Sequence, residues 1–190
     1  MDRGGAVLPP LTLVLGPVRS GKSAFAERLC AAAGVGTYLA TAVASDGEMA
    51  DRIAAHRARR PAGWRTVELG GAGAAPLPRL PPAGPVLLDG LGLWLAPRLP
   101  AAPGPAGETE ALAALDRLLA SARPSARRPL VVVSEEVGWG VVPTSPAGRR
   151  FRDLLGLCNQ RCAAAADQVV LVVAGCPLWL RGAPPPEASR

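Results

Sequence analysis

Glycines at positions 16 and 21 bracket a short loop ending in a lysine and a serine: Gly16-Pro17-Val18-Arg19-Ser20-Gly21-Lys22-Ser23. The spacing G-x-x-x-x-G-K-S has a physical meaning. Two glycines let the backbone turn so that successive N–H groups point inward, and a helix beginning at the loop's end adds the positive end of its dipole. Such a cradle binds phosphate oxygens. Lys22 is placed to reach the β- and γ-phosphates of a nucleotide, and the Ser23 hydroxyl to sit on Mg²⁺. Of the 21 basic residues, 20 are arginine and Lys22 is the only lysine. A compact ammonium on a flexible stem suits a phosphate nested among amides better than the planar arginine fork does.

A phosphate loop that carries a metal needs a carboxylate nearby, usually at the end of a neighbouring apolar strand. Asp89, closing Val86-Leu87-Leu88-Asp89, meets that description, although Asp89-Gly90 also reads as a turn signature. Ser23 and Asp89 are therefore the expected metal-facing pair. Glu135 and Glu136, which follow the apolar run 130–134, form a second pair, at least one of which could be a solvated loop carboxylate. The single histidine, His56, precedes Arg57, Arg59 and Arg60. Taken alone, a lone histidine on a helix is more often structural. Flanking arginines, however, disfavour the imidazolium and keep the ring neutral and nucleophilic, and they can themselves hold phosphates. The blander reading of those arginines is a solvated helix end.

These residues need elements to hold them. Short runs rich in Val and Leu at 11–15, 35–40, 85–88, 130–134 and 168–173 read as strands, and their near-continuous apolarity fits a parallel sheet buried on both faces. The stretch 64–69 alternates and is expected at an edge. Helical patterns at 22–33, 48–59, 108–122 and 147–166 lie between them, so the order is largely βαβ and the class α/β. The Pro/Gly-rich segments 70–84 and 96–107 are expected to be surface loops, and the tail 182–190 to fray. One domain spanning residues 1–190 is expected from the length.

Composition narrows the function classes. Hydrophobic residues make up 49% of the chain, yet no apolar run approaches the roughly 20 residues of a membrane span. The N-terminal apolar stretch is broken by Pro9 and Pro10, so neither export nor stable membrane insertion is expected and the cytoplasm is the expected location. The formal charge of +6 comes with one tyrosine, two phenylalanines and no basic-aromatic interleaving, so phosphorylated small molecules rather than nucleic acid are the expected partners. Cys30, Cys158, Cys162 and Cys176 have no zinc-finger spacing and read as buried small apolar residues.

Several of these blocks, taken together and in order, resemble the bifunctional adenosylcobinamide kinase / adenosylcobinamide-phosphate guanylyltransferase family. The resemblance rests on the loop 16–23, the segment 48–61 around His56, and Trp64-Arg65-Thr66-Val67-Glu68. It continues through Leu87-Leu88-Asp89 with Leu93-Trp94-Leu95, then Glu135-Glu136-Val137-Gly138-Trp139-Gly140-Val141-Val142-Pro143, Phe151-Arg152-Asp153 and Asn159-Gln160-Arg161. Family sequences often carry an asparagine where this chain has Ala96-Pro97-Arg98.

The resemblance implies a P-loop NTPase fold of the RecA-like branch, with a mostly parallel central sheet flanked by helices, in a homotrimer. It also implies two reactions. The first phosphorylates the hydroxyl of adenosylcobinamide with ATP or GTP. The second transfers GMP from GTP to adenosylcobinamide phosphate, giving adenosyl-GDP-cobinamide in cobalamin biosynthesis. By the same resemblance His56 attacks the α-phosphate of GTP and becomes guanylylated, a covalent route that splits one hard displacement into two easier ones. Nucleotide contacts are implied at residues 16–23, at Ala40, Thr41 and Ala42, at Arg57, Ala58, Arg59 and Arg60, and at Glu68 and Asp89. Two other readings compete with it: a P-loop small-molecule kinase or ATPase with an inert His56, and a nucleotide-gated regulatory subunit. Covalent labelling by GTP separates the first from the family reading, and binding without turnover would mark the second.

Overall fold

The computed structural model describes residues 7–42, 47, 53–54, 57–58, 63–69, 80–99, 105–122 and 124–184. Among these, the elements run β1 (Leu11–Gly16), α1 (Lys22–Ala32), β2 (Thr37–Ala40), β3 (Arg65–Glu68), β4 (Val86–Asp89), α2 (Leu91–Leu95), a 3₁₀ turn (Ala96–Arg98), α3 (Pro105–Ala122), β5 (Leu130–Glu135), α4 (Pro146–Ala165), β6 (Gln168–Val173) and β7 (Cys176–Arg181).

Seven strands form one sheet in the order β3-β2-β4-β5-β1-β6-β7. Every pairing is parallel except β6 with β7. The phosphate-loop strand β1 therefore lies at the inside of the sheet, and β5 separates it from β4, the strand that ends in Asp89. That interposed strand is the RecA-like arrangement of a P-loop fold.

The apolar strands are buried on both faces because successive side chains point to opposite sides. Leu130 and Val132 join the cluster under α2, α3 and α4, which includes Leu88, Leu91, Leu115, Leu155 and Cys158. Val131 and Val133 join the opposite cluster under α1, with Val14, Phe25, Leu29 and Tyr38. Phe25 of α1 meets Trp179 of β7 edge to face, with ring centroids 6.2 Å apart. No described helix is long and apolar enough to cross a membrane.

Several boundaries differ from the sequence reading. The second strand starts at Thr37 and not at 35, because Val35 is 66% exposed and a Cβ at Gly36 would stand 2.4 Å from the Pro85 carbonyl oxygen. The segment 96–107 is only partly loop: Ala96–Arg98 forms a 3₁₀ turn, and α3 already begins at Pro105. Proline suits a first helical turn, where its missing N–H would have had no partner.

Two elements escaped the sequence reading altogether, the five-residue α2 and the antiparallel edge strand β7. β7 is exposed along most of its length, so its residues do not show the buried apolar run that marks its neighbours. Cys176 on that strand is exposed, which corrects the expectation of four buried cysteines. Cys30, Cys158 and Cys162 are buried as expected, and burial pushes the thiols of Cys158 and Cys162 up to about 11 and about 12. The strand expected at an edge, β3, is at the edge. Residues 53–54 and 57–58, the described part of the expected helix 48–59, are helical, as is residue 47 just before it. The remainder of that helix, the expected loop over 70–79 and tail residues 185–190 lie outside the described residues. Within the start of that tail, Ala183 accepts a hydrogen bond from Gln168 Nε2 at 2.7 Å.

Candidate nucleotide site

β1 runs directly into the loop and α1 starts at Lys22, so the cradle forms where a buried strand hands over to a helix N-terminus. Gly21 adopts φ 90°, the left-handed region that glycine enters without steric cost. Gly16 is required by closeness: a Cβ there would stand 2.5 Å from both Ser20 Oγ and the Val172 carbonyl oxygen. The turn between β6 and β7 braces the loop from the side, with Gly175 N donating to Ser20 O at 2.8 Å. The missed hairpin thus supports the one motif that sequence made plain. Lys22 is buried, and its Nζ donates to the Pro17 carbonyl at 3.3 Å, which folds the ammonium over the loop.

The carboxyl ends of β4 and β2 close the site. Ser23 Oγ donates to Asp89 Oδ1 at 3.1 Å, and Tyr38 OH donates to Asp89 Oδ2 at 2.8 Å. Asp89 is therefore oriented toward the first turn of α1 and is more than a turn residue. Two hard oxygens, a hydroxyl and a carboxylate, stand side by side. Such a donor set fits Mg²⁺, which takes one or two protein oxygens and completes its shell with phosphate and water. Among the described residues no cluster of three or more His, Cys, Asp or Glu could hold a metal by itself.

Thr41, buried just after β2, ties the strand ends together. Its Oγ1 accepts from Gly90 N at 2.8 Å and lies 2.9 Å from the Asp89 carbonyl oxygen. Sequence reasoning included Thr41 but missed Tyr38. The available signal was a phenol, the chain's only tyrosine, in an otherwise apolar strand.

The two glutamates at the end of β5 separate cleanly. Glu136 Oε1 accepts from Gly138 N at 2.7 Å in an exposed turn. Glu135, in register with Gly16, turns inward, and its Oε2 accepts from Gly92 N of α2 at 3.0 Å. Burial raises its carboxyl above the ordinary glutamate range, while the Lys22 ammonium and backbone N–H groups pull the other way. Behind it Asn159 bridges Ser134 Oγ, which donates to Oδ1 at 2.6 Å, and the Glu135 carbonyl, which accepts from Nδ2 at 3.1 Å.

Glu68 stands apart from this centre. Ala40 pairs with Glu68 on one side and with Asp89 on the other, so the two acids share one transverse row of the sheet. Two strand spacings of about 4.8 Å separate their backbones by roughly 10 Å. Glu68 is ion-paired with Arg57 at the exposed edge. Ala58 is helical and exposed, and Ala40 and Ala42 are half-buried beside Thr41. His56, Arg59 and Arg60 lie outside the described residues.

A braced glycine loop, a folded-over lysine, and a serine-aspartate pair across an interposed strand define a P-loop nucleotide-binding protein of the α/β class. The sequence profile of the cobinamide kinase / cobinamide phosphate guanyltransferase family matches residues 12–180. The chain belongs to that family, whose two activities are both transferase reactions.

The bifunctional adenosylcobalamin biosynthesis protein CobP of Pseudomonas aeruginosa is 45% identical over 177 residues, covering 90% of this chain and 98% of that protein. The CobU protein of Salmonella typhimurium, named for the same bifunctional role, is 39% identical over 174 residues, 87% of this chain and 96% of its own. Among solved structures, an ATPase from the type III secretion system of pathogenic bacteria overlays with a TM-score of 0.48 at 11% identity, covering 85% of this chain and 50% of that one. The fold assignment stands on the strand order and not on that overlay.

Proposed function

We propose that this chain catalyses two successive transfers in cobalamin biosynthesis through one phosphate cradle. In the first, the hydroxyl of adenosylcobinamide attacks the γ-phosphorus of ATP or GTP, the bridging P–O bond breaks, and the nucleoside diphosphate leaves. In the second, His56 attacks the α-phosphorus of GTP, pyrophosphate leaves, and the GMP so held passes to the phosphate of adenosylcobinamide phosphate as the P–N bond breaks. The observation that carries this reading is the convergence of Lys22, Ser23 and Asp89 at one loop, in a chain that matches the family over nearly its whole length.

The loop amides and Lys22 hold phosphate oxygens and stabilise the charge that shifts between them in each transfer. Ser23 and Asp89 would hold Mg²⁺, which when bound supplies charge neutralisation across neighbouring phosphate oxygens. Ala40, Thr41, Ala42, Arg57, Ala58, Arg59, Arg60 and Glu68 complete the nucleotide contacts in this proposal. Arg57 is already held at the β3 edge by Glu68, which supports a cationic rim there. A single domain over residues 1–190, a homotrimer and a cytoplasmic location belong to the same proposal. Sedimentation of the purified protein and fractionation of cells check the last two.

Incubation with α-labelled GTP tests the covalent route. The expected outcome is an acid-labile, alkali-stable protein adduct that His56→Ala removes, while phosphorylation of adenosylcobinamide persists. An adduct that survives the substitution would sink the role given to His56.

A further inference from the structure

The two proposed transfers differ in what their acceptors must lose. An alcohol has to shed a proton as it becomes a phosphate ester. A phosphate monoester at neutral pH already presents a charged oxygen and sheds none. Only the kinase step therefore calls for a general base, and a base that serves it should be dispensable in the second step.

Glu135 has the placement for that task. It ends β5, the strand lying between the phosphate-loop strand and the strand of Asp89, so its backbone reaches the carboxyl edge between the two halves of the site. Its two carboxylate oxygens are held unequally. Oε2 accepts from Gly92 N, whereas Oε1 meets no donor from any other residue among the described residues. Gly90 and Gly92 leave the space it occupies: a Cβ at Gly92 would stand 2.5 Å from Oε2, and one at Gly90 would stand 2.9 Å from Oε1. Asn159, itself buried, fixes the strand end by bonding both Ser134 and the Glu135 carbonyl, so the carboxylate projects from a rigid support. Its removal from water favours proton capture, as the chemistry requires.

Resting on the two-step reading above, we propose that Glu135 is the general base of the kinase step, and of that step alone. As the acceptor oxygen bonds to the γ-phosphorus and the bridging P–O bond breaks, the hydroxyl proton passes to Glu135 Oε1 and is later released to water. The competing explanation is that Glu135 merely anchors the start of α2 through Gly92.

Glu135→Gln separates the two, because the amide oxygen can still accept from Gly92 N but cannot take a proton. Each step is measured alone, with adenosylcobinamide plus ATP for the first and adenosylcobinamide phosphate plus GTP for the second. In the variant, kinase kcat should fall by about 100-fold or more, while guanylyl transfer and the KM for nucleotide stay within about threefold of the wild type. Gly92→Ala provides the second variant: it pushes the carboxylate aside without removing it, and should reproduce the selective kinase loss. Equal losses in both steps, or an undiminished kinase step, would overturn the assignment while leaving the two-step reading intact. A wild-type protein unable to carry out either transfer would instead overturn the reading on which it rests.

Discussion

The centre of the sheet and its β3 edge hold their polar and charged groups in opposite ways. At the centre, Lys22, Ser23, Tyr38, Thr41 and Asp89 are held by bonds within the loop, from helix to strand and between strand ends, in partly buried surroundings. At the edge, Arg57 and Glu68 pair with side chains 56% and 60% exposed. Exposed ion pairs are screened and contribute little to stability, whereas buried polar groups cost heavily when a partner is lost. The centre is thus pre-organised, whereas the exposed pair at the edge can exchange partners at little cost. In the proposed scheme the fixed groups serve both transfers and the adjustable pair lies at the rim.

The largest effect expected from this contrast is that of Lys22→Ala. Both transfers should fall by about 100- to 1000-fold, as when a single charge-stabilising donor is removed. Steady-state rates with each acceptor check it, and a loss confined to one step would break the idea of a shared centre. Gly16→Ala should come next. Its Cβ has no room between Ser20 and the Val172 carbonyl, so roughly 1–3 kcal/mol of stability should be lost along with nucleotide affinity. Urea unfolding and nucleotide titration measure the two losses.

Thr41→Val removes the partner of Gly90 N and should cost about 1–2 kcal/mol in the same unfolding experiment. An unchanged midpoint would mean that the strand ends are held by something other than Thr41. The smallest effect belongs to the edge. A double-mutant cycle of Arg57→Ala and Glu68→Ala should return a coupling of no more than about 1 kcal/mol, shrinking as salt is added. A larger coupling would place this pair with the centre instead.

Much of the centre was legible from residue types. The run 16–23 dictates its own geometry, because two glycines and a following helix suffice to aim backbone N–H groups at a phosphate. Asp89 was legible as the polar end of an apolar strand, and the parallel sheet as runs of Val and Leu without alternation. What escaped was whatever depended on distant contact. β7 could not be read, since an exposed edge strand bears no buried pattern, although its turn braces Ser20 through Gly175. α2 could not be read either, because five residues are too few to show a helical period.

Sequence by itself determined the phosphate cradle, the α/β class and the family, since each is written in local spacing or in ordered blocks along the chain. Tertiary structure alone decided which of two adjacent acids turns inward. Glu135 and Glu136 are identical in chemistry and neighbours in sequence, yet one turns into the space left by Gly90 and Gly92 and the other closes an exposed turn. That choice depends on residues more than forty positions away brought alongside by the parallel sheet, so no local pattern could encode it.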